Sequence, residues 1–253
     1  MAGAKTGTGR AESAQMAAGL MDLEAADGAG ERKISREWLL WQLADSAFPV
    51  GGFAHSSGVE AAWQGGWVRT AADVERLLEQ MAWQGAYGGV PFVMAAHRAP
   101  RRFGEWDRRL ETMLTNHVAN RSSRAQGRAL LATGARVFGG EVERLRAEAV
   151  GEGYAGHLAV AFGAMMRAVG LEEWETARLF LFWTLRGAVS AAVRLNAVGP
   201  LQAQEIQMRM GGVLETAVEA GMALGVDEAA QTLPLMEVFQ GMQDRLYSRL
   251  FQS

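Results

Sequence analysis

Four histidines are the first places to look for chemistry: His55, His97, His117 and His157. No two of them stand three to five residues apart, so no single helix face carries a His-x-x-x-His metal pair. The chain has no cysteine, which removes disulfides, thiolate metal sites and a cysteine nucleophile. There is no Gly-x-Ser-x-Gly elbow and no His-Glu-x-x-His. A Walker loop and a strand-borne Gly-x-Gly-x-x-Gly are also missing. The acidic group Glu172, Glu173 and Glu175 stands at a predicted helix start, where carboxylates favour the helix dipole. No catalytic residue, metal ligand or cofactor is therefore expected.

One segment remains, Asp45 to Glu60, which reads Asp-Ser-Ala-Phe-Pro-Val-Gly-Gly-Phe-Ala-His-Ser-Ser-Gly-Val-Glu. Pro49 ends the preceding helix, because the residue before proline avoids the α region. Gly51 and Gly52 permit a tight or left-handed path. Ser57 and Glu60 have the spacing of a capping box for the next helix. Phe48 and Phe53 are placed to fix the angle at which the chain turns. His55 and Ser56 are left without a structural explanation. Physical reasoning alone favours a structural corner over a functional loop.

The elements that must position this corner are helical. Ser35 is placed to cap a first helix, with Glu37 in its first turn and Leu39, Leu40 and Leu43 as its apolar stripe. Thr70 and Asp73 make a start signal, followed by Val74, Leu77, Leu78 and Met81 on one face. Trp106, Leu110, Met113, Leu114 and Val118 repeat that spacing, with Glu105 and Arg109 as an i,i+4 pair on the other side. Ile206, Met210, Val213, Leu214, Ala217 and Val218 do the same. The last helix is expected to start near Thr232, with Pro234 in its first turn, and to bury Leu235, Val238, Phe239, Met242, Leu246 and Leu250. Glu172 to Leu195 is apolar nearly all round, the pattern of a central helix. Several glycines inside helical patterns (Gly127, Gly163, Gly187, Gly211 and Gly212) imply close helix contacts, since each costs about 1 kcal/mol relative to Ala.

These patterns predict an all-α fold: one multi-helix domain of about eight to ten helices over residues 34–253. Residues 1–33, rich in Ala and Gly, are expected to be a disordered tail. The formal charge of −3 over 253 residues lacks the basic excess of a nucleic-acid binder. No apolar run approaches the roughly 20 residues that span a bilayer. The opening residues have no signal-peptide pattern, and a cytoplasmic protein is expected.

Four blocks resemble the urease accessory protein UreF family. The corner matches the family's Phe-Pro-Val-Gly-Gly-Phe-Ser/Ala-Tyr/His-Ser-x-Gly-Leu/Val-Glu. Ser122 to Leu131 resembles its Arg-x-x-Gly-Arg-x-Leu-Leu helix. Ser190 to Leu195, with Gly199 to Gln204 after it, resembles its Ser-Ala-x-x-Arg-Leu…Gly…Gln block. Arg245 to Phe251 resembles its Arg-Leu-Tyr-Ser-Arg-Leu-Phe end. Two places near the end depart from the pattern, and His55 is a variant. Gln243 and Asp244 stand near where the family often has His, Gln252-Ser253 replaces the usual Arg-Ser, and His55 stands where many relatives carry Tyr.

The resemblance implies an all-helical, cytosolic, dimeric protein that binds a UreD/UreH-type accessory protein and a UreG-type GTPase. In that assembly nickel reaches apo-urease, and the GTPase hydrolyses the GTP. The C-terminal end helps to dock the UreD partner. The partner-binding residues carried over are Gly51, Gly52, Phe53, His55, Ser56, Glu60, Arg124, Arg128, Arg194, Gln204, Tyr247, Arg249, Leu250 and Phe251. Tyr247, Arg249, Leu250 and Phe251 have the aromatic and Arg composition of an interface anchor. Arg194 has two available roles, a cation at a helix C-terminus or a contact to the GTPase or other subunit. Arg124 and Arg128, at i and i+4, fit a solvated face or a partner surface equally. A competing expectation is a helical small-molecule or cofactor-binding enzyme that uses His55, His117 or His157 around an apolar pocket.

Overall fold

The computed structural model describes residues 35–253; the expected tail over 1–33 lies outside the described residues. By internal contacts the chain divides between Leu39 and Leu40. Of the first unit only residues 35–39 are described. They form the opening turn of α1 (Arg36–Ala44), where Ser35 Oγ accepts from the Trp38 amide at 3.5 Å. The rest concerns Leu40–Ser253.

Among the described residues there are twelve α-helices and no strand. After α1 come α2 (Val59–Gln64), α3 (Ala71–Gly88), α4 (Val90–Arg98), α5 (Phe103–Met113) and α6 (His117–Phe138). They are followed by α7 (Gly140–Gly151), α8 (Leu158–Ala168), α9 (Glu173–Arg194), α10 (Pro200–Arg209), α11 (Gly211–Met222) and α12 (Pro234–Met242). The number exceeds the expected eight to ten because single residues divide three pairs: Gly89, Gly139 and Met210. One of these breaks is forced locally, since Pro91 has no amide hydrogen with which to continue α3.

The thoroughly central helix is α8, in which Ala159 to Met166 are all buried. It packs against α4 and α6. Small residues make this possible. A Cβ on Gly163 would meet the Val93 carbonyl oxygen at 2.0 Å, and one on Gly127 would meet that of Gly156 at 2.1 Å. Those two glycines have the packing reason expected of them. Gly187, Gly211 and Gly212 do not, because nothing lies within 4 Å of their added Cβ. Helix α9, expected to be central, is only partly so: Phe182, Trp183 and Thr184 are half-buried. Its inner face meets α8 through Phe162, whose ring lies edge-on to Phe180 and Trp183 at 5.4 and 5.0 Å.

Local signals held where no distant group competed. Thr70 Oγ1 accepts from the Asp73 amide at 3.2 Å, and Asp73 Oδ2 accepts from the Thr70 amide at 2.8 Å. The acidic group before α9 also acts as a cap, with Glu175 accepting from the Glu172 amide at 2.8 Å. Other readings are corrected. The stripe from Trp106 to Val118 spans two helices, because Asn116 caps a new one by accepting from the Val118 and Ala119 amides. Glu105 pairs with Arg102, and Arg109 with Asp227, so the Glu105–Arg109 pair does not form. The last helix stops at Met242, with Met236 and Phe239 buried but Leu235 and Val238 exposed. Leu246 and Leu250 lie beyond it, in a segment that turns back on the corner.

Candidate partner-binding site

The corner begins where α1 ends. The Asp45 carboxylate accepts from the Ala47 amide at 2.9 Å, and the buried Phe48 ring stacks near Phe138 of α6 at 6.1 Å. Gly51 then takes a left-handed conformation (φ 75°) and opens a single 3₁₀ turn, Gly52–Ala54. Gly58 has φ 91° and an added Cβ there would meet the Met236 sulfur at 2.5 Å. Only glycine fits both the backbone and the approach of α12.

The Ser57–Glu60 capping box does not form. Gly58 is the N-cap of α2 and Ser57 is itself left-handed (φ 53°). Glu60 has been drawn to other donors. It is only 1% exposed, and both its oxygens receive the C-terminal segment. Oε1 accepts from the Leu250 amide at 2.6 Å and from Gln64 Nε2 at 3.4 Å. Oε2 accepts from Gln243 Nε2 at 2.7 Å and from the Phe251 amide at 3.2 Å. Gln64 Nε2 also donates to the Ser248 carbonyl at 2.9 Å. Such satisfaction is what a buried carboxylate requires.

The chain's last residues then run beside the corner. The Gln252 amide donates to the Ala54 carbonyl at 2.8 Å, and the Ser56 amide donates to the Ser253 carbonyl. His55 Nδ1 meets Ser253 Oγ. Burial, and secondarily the positive charge of Arg121, hold the His55 imidazole below its usual pKa. Arg194, the last residue of α9, donates to the Phe53 carbonyl at 2.7 Å. Its guanidinium carbon lies 3.9 Å from the Phe53 ring centroid and 4.3 Å from that of Phe251. Both roles open to Arg194 are thus joined by a third, as a clamp between corner and C-terminus. A cavity of about 250 Å³ lies beneath, lined by Phe48, His55, Trp183, Gly187 and Phe251 among others.

The structure therefore gathers ten of the carried-over residues: Gly51, Gly52, Phe53, His55, Ser56, Glu60, Arg194, Tyr247, Leu250 and Phe251. They divide by exposure. Ser56, Glu60 and Phe251 are buried and act through what they hold. Phe53, Tyr247 and Leu250 are exposed apolar side chains over that scaffold. Arg249 joins through Asp244, at 3.5 Å. Gln204 is exposed on α10, outside this network. Arg124 and Arg128 line a groove on α6.

Gln243 and Asp244, read from sequence as departures from a pattern, are structural parts of the arrangement. Gln243 is fully buried and also donates to the Phe251 carbonyl at 3.2 Å. Asp244 receives both terminal nitrogens of Arg121 at 2.9 and 3.1 Å. Those bonds hold its carboxyl below the usual range. The histidines proposed for a pocket occupy different surroundings. His55 lines the cavity, His117 lies 3.2 Å from Asp244, and His157 is buried between Glu111 and Ser123. Among the described residues no group of three or more His, Cys, Asp or Glu is arranged to hold a metal ion.

Fold and corner together define an all-helical protein whose last residues fold back to brace a surface of exposed apolar side chains. The chain belongs to the UreF family, whose sequence profile matches residues 68–211. It is 40% identical over 223 residues to the urease accessory protein F of Arabidopsis thaliana, covering 86% of this chain and 92% of that protein. Against the urease accessory protein F of Oryza sativa subsp. indica it is 38% identical over 219 residues, 85% of this chain and 84% of the relative. The urease accessory protein UreF of Trichodesmium erythraeum is 28% identical over 227 residues, 86% and 97% of the two chains.

Proposed function

We propose that this chain is a urease accessory protein that works by contact, as a co-chaperone in nickel insertion. In this reading a homodimer in the cytoplasm bridges a UreD/UreH-type accessory protein and a UreG-type GTPase. The GTPase hydrolyses GTP, nickel is the cargo delivered to apo-urease, and this chain contributes no catalytic group or cofactor of its own. Family membership supports the urease role. The observation that carries the contact role is the braced corner, where Glu60 and Arg194 hold backbone and ring while Phe53, Tyr247 and Leu250 face outward.

Removing the whole end of the chain would be a poor test, because Glu60 would lose the Leu250 and Phe251 amides. The sharper test changes side chains alone. Tyr247→Ala with Leu250→Ala keeps both amides and removes the outward surface. Full-length chain is co-expressed with the UreD-type protein of the same source and run on size-exclusion chromatography with light scattering. Co-elution is expected for the parent, and at least ~30-fold weaker association for the double variant at unchanged helicity, the size of an interface hot spot. Undiminished co-elution of the double variant would move the contact elsewhere. A folded parent that co-elutes with neither partner type would sink the functional reading.

A further inference from the structure

Four basic side chains stand on one face of α6. His117, Arg121, Arg124 and Arg128 fall at i, i+4, i+7 and i+11, a spacing that stacks them in one stripe. At 1.5 Å per residue the stripe is about 16 Å long. With Leu114 and Ala125 it lines an open groove of about 630 Å³.

One end of this stripe already takes a carboxylate. Asp244 lies on Arg121 at 2.9 and 3.1 Å and on His117 at 3.2 Å. The other end is under-matched. Arg124 reaches Glu111 only at 3.8 Å, and Glu111 is engaged by His157 at 2.6 Å. Arg128 donates Nε to the Ala155 carbonyl at 2.9 Å. Its guanidinium makes no ion pair with any carboxylate among the described residues. Counting Arg249, four guanidinium groups face two carboxylates, an excess of two positive charges on a chain whose formal charge is −3.

We infer that the α6 groove docks an acidic segment of a protein partner, which lays its carboxylates on Arg124 and Arg128 and so continues the row that Asp244 begins. Arg is the side chain suited to this, because its planar fork matches a carboxylate. The length of the stripe and its apolar components suit a peptide segment better than a single small anion. One stripe on a net-acidic chain is not the footprint of a nucleic-acid binder. The inference rests on the contact reading, in which Arg124 and Arg128 bind a partner, and adds the chemistry of what they bind; its test uses no urease partner, so the two readings can fail separately.

The probe is a fluorescein-labelled peptide of alternating Glu and Ala, about twelve residues long, titrated with the full chain and followed by anisotropy. Binding is expected at about 50 mM salt and at least ~10-fold weaker binding at about 300 mM, as screening shortens the range of the charges. Arg124→Gln with Arg128→Gln should lower affinity at least ~10-fold. Arg98→Gln, which breaks only the exposed pair with Glu173 on another face, should not. Because Arg128 also secures the Ala155 carbonyl, Arg124→Gln alone is the second variant, and it should show a smaller loss with unchanged helicity. Absence of binding at low salt, or binding by both charge-removal variants as tight as the parent's, would overturn the inference. So would displacement of the peptide by millimolar inorganic phosphate, or tighter binding of an RNA of similar length.

Discussion

Glu60→Ala is the most informative single change, because its effect should be local and large. The substitution removes an acceptor that receives two close donors, the Leu250 amide at 2.6 Å and Gln243 Nε2 at 2.7 Å, and two longer ones. Hydrogen bonds to charged groups contribute about 1.5–3 kcal/mol each. Removing the buried carboxylate also relieves its desolvation, which offsets part of that loss. Gln243 sets the remainder. Its Oε1 already lacks a partner, and its amide group would keep only the Phe251 carbonyl. A loss of about 2–4 kcal/mol in the stability of the C-terminal segment follows, or roughly 30- to 900-fold in its opening equilibrium. The assay is amide hydrogen exchange at Leu250 and Phe251, with α8 amides as the internal standard. Exchange should accelerate by that factor at the first two while α8 changes little, because the segment lies outside the central packing. Glu60→Gln should be milder, about 1 kcal/mol, since a flipped Gln243 amide could turn its idle oxygen toward the new amide group. If Glu60→Ala left Leu250 and Phe251 exchanging within about twofold of the parent, the carboxylate would not be what holds this segment.

Two further expectations concern the corner histidine and the helix packing. The His55 pKa is depressed below 6.5 by burial and by Arg121, so the unfolded chain binds the proton more readily. Stability should therefore be fully present above pH 6.5 and decline as pH falls from there through the folded pKa. The His55 ring resonances should titrate below 6.5, and His55→Gln should flatten that part of the stability profile. Titration above 6.5 would refute the assignment. The second expectation contrasts two helix glycines. Gly163→Ala should destabilise by about 1–3 kcal/mol in denaturant unfolding, because its Cβ would meet Val93 backbone. Gly187→Ala has open space and should stabilise by up to about 1 kcal/mol. Equal effects would mean that these helix spacings are wrong.

What was legible in the sequence was what short-range physics decides. The 3.6-residue periods give the all-α class, and the Thr70–Asp73 box forms because both partners lie within one turn. The Ser57–Glu60 box has the same spacing and fails, because Glu60 is claimed by donors 183 to 191 residues away. No window of sequence contains that competition. The Trp106–Val118 stripe failed for a different reason: Asn116 can satisfy two amides itself, and apolar periodicity is blind to a side-chain cap. The last helix shows both limits. Its apolar pattern runs on to Leu250, yet the chain leaves the helix at Met242, where Gln243 finds Glu60. Family resemblance picked out ten residues that the structure brings together at the corner, but not Gln243 or Asp244, and not the division into outward side chains and buried braces.

That division matters for how the corner can work. Phe53, Tyr247 and Leu250 are exposed apolar groups near a chain end, where segments fray unless tied down. Left free, they would lose conformational entropy on meeting a partner, about 0.5–1.5 kcal/mol per side chain. For the Phe53 ring and the Leu250 backbone the ordering is done beforehand from two sides, while Tyr247, wholly exposed, stands outside this bracing. Glu60 fixes the backbone at Leu250 and Phe251 from within α2. Arg194 fixes the rings of Phe53 and Phe251 from the end of α9. Each brace is a charged group in a place where charge is costly to leave unmatched, so neither is an obvious choice for stability alone. Their common effect is to present one conformation of the chain end. Gly58 is the hinge on which this depends, because it lets α12 approach closely enough for Gln243 to reach Glu60. In the proposed contact role, the buried polar residues of the corner do not face the partner; they set the shape of the surface that would.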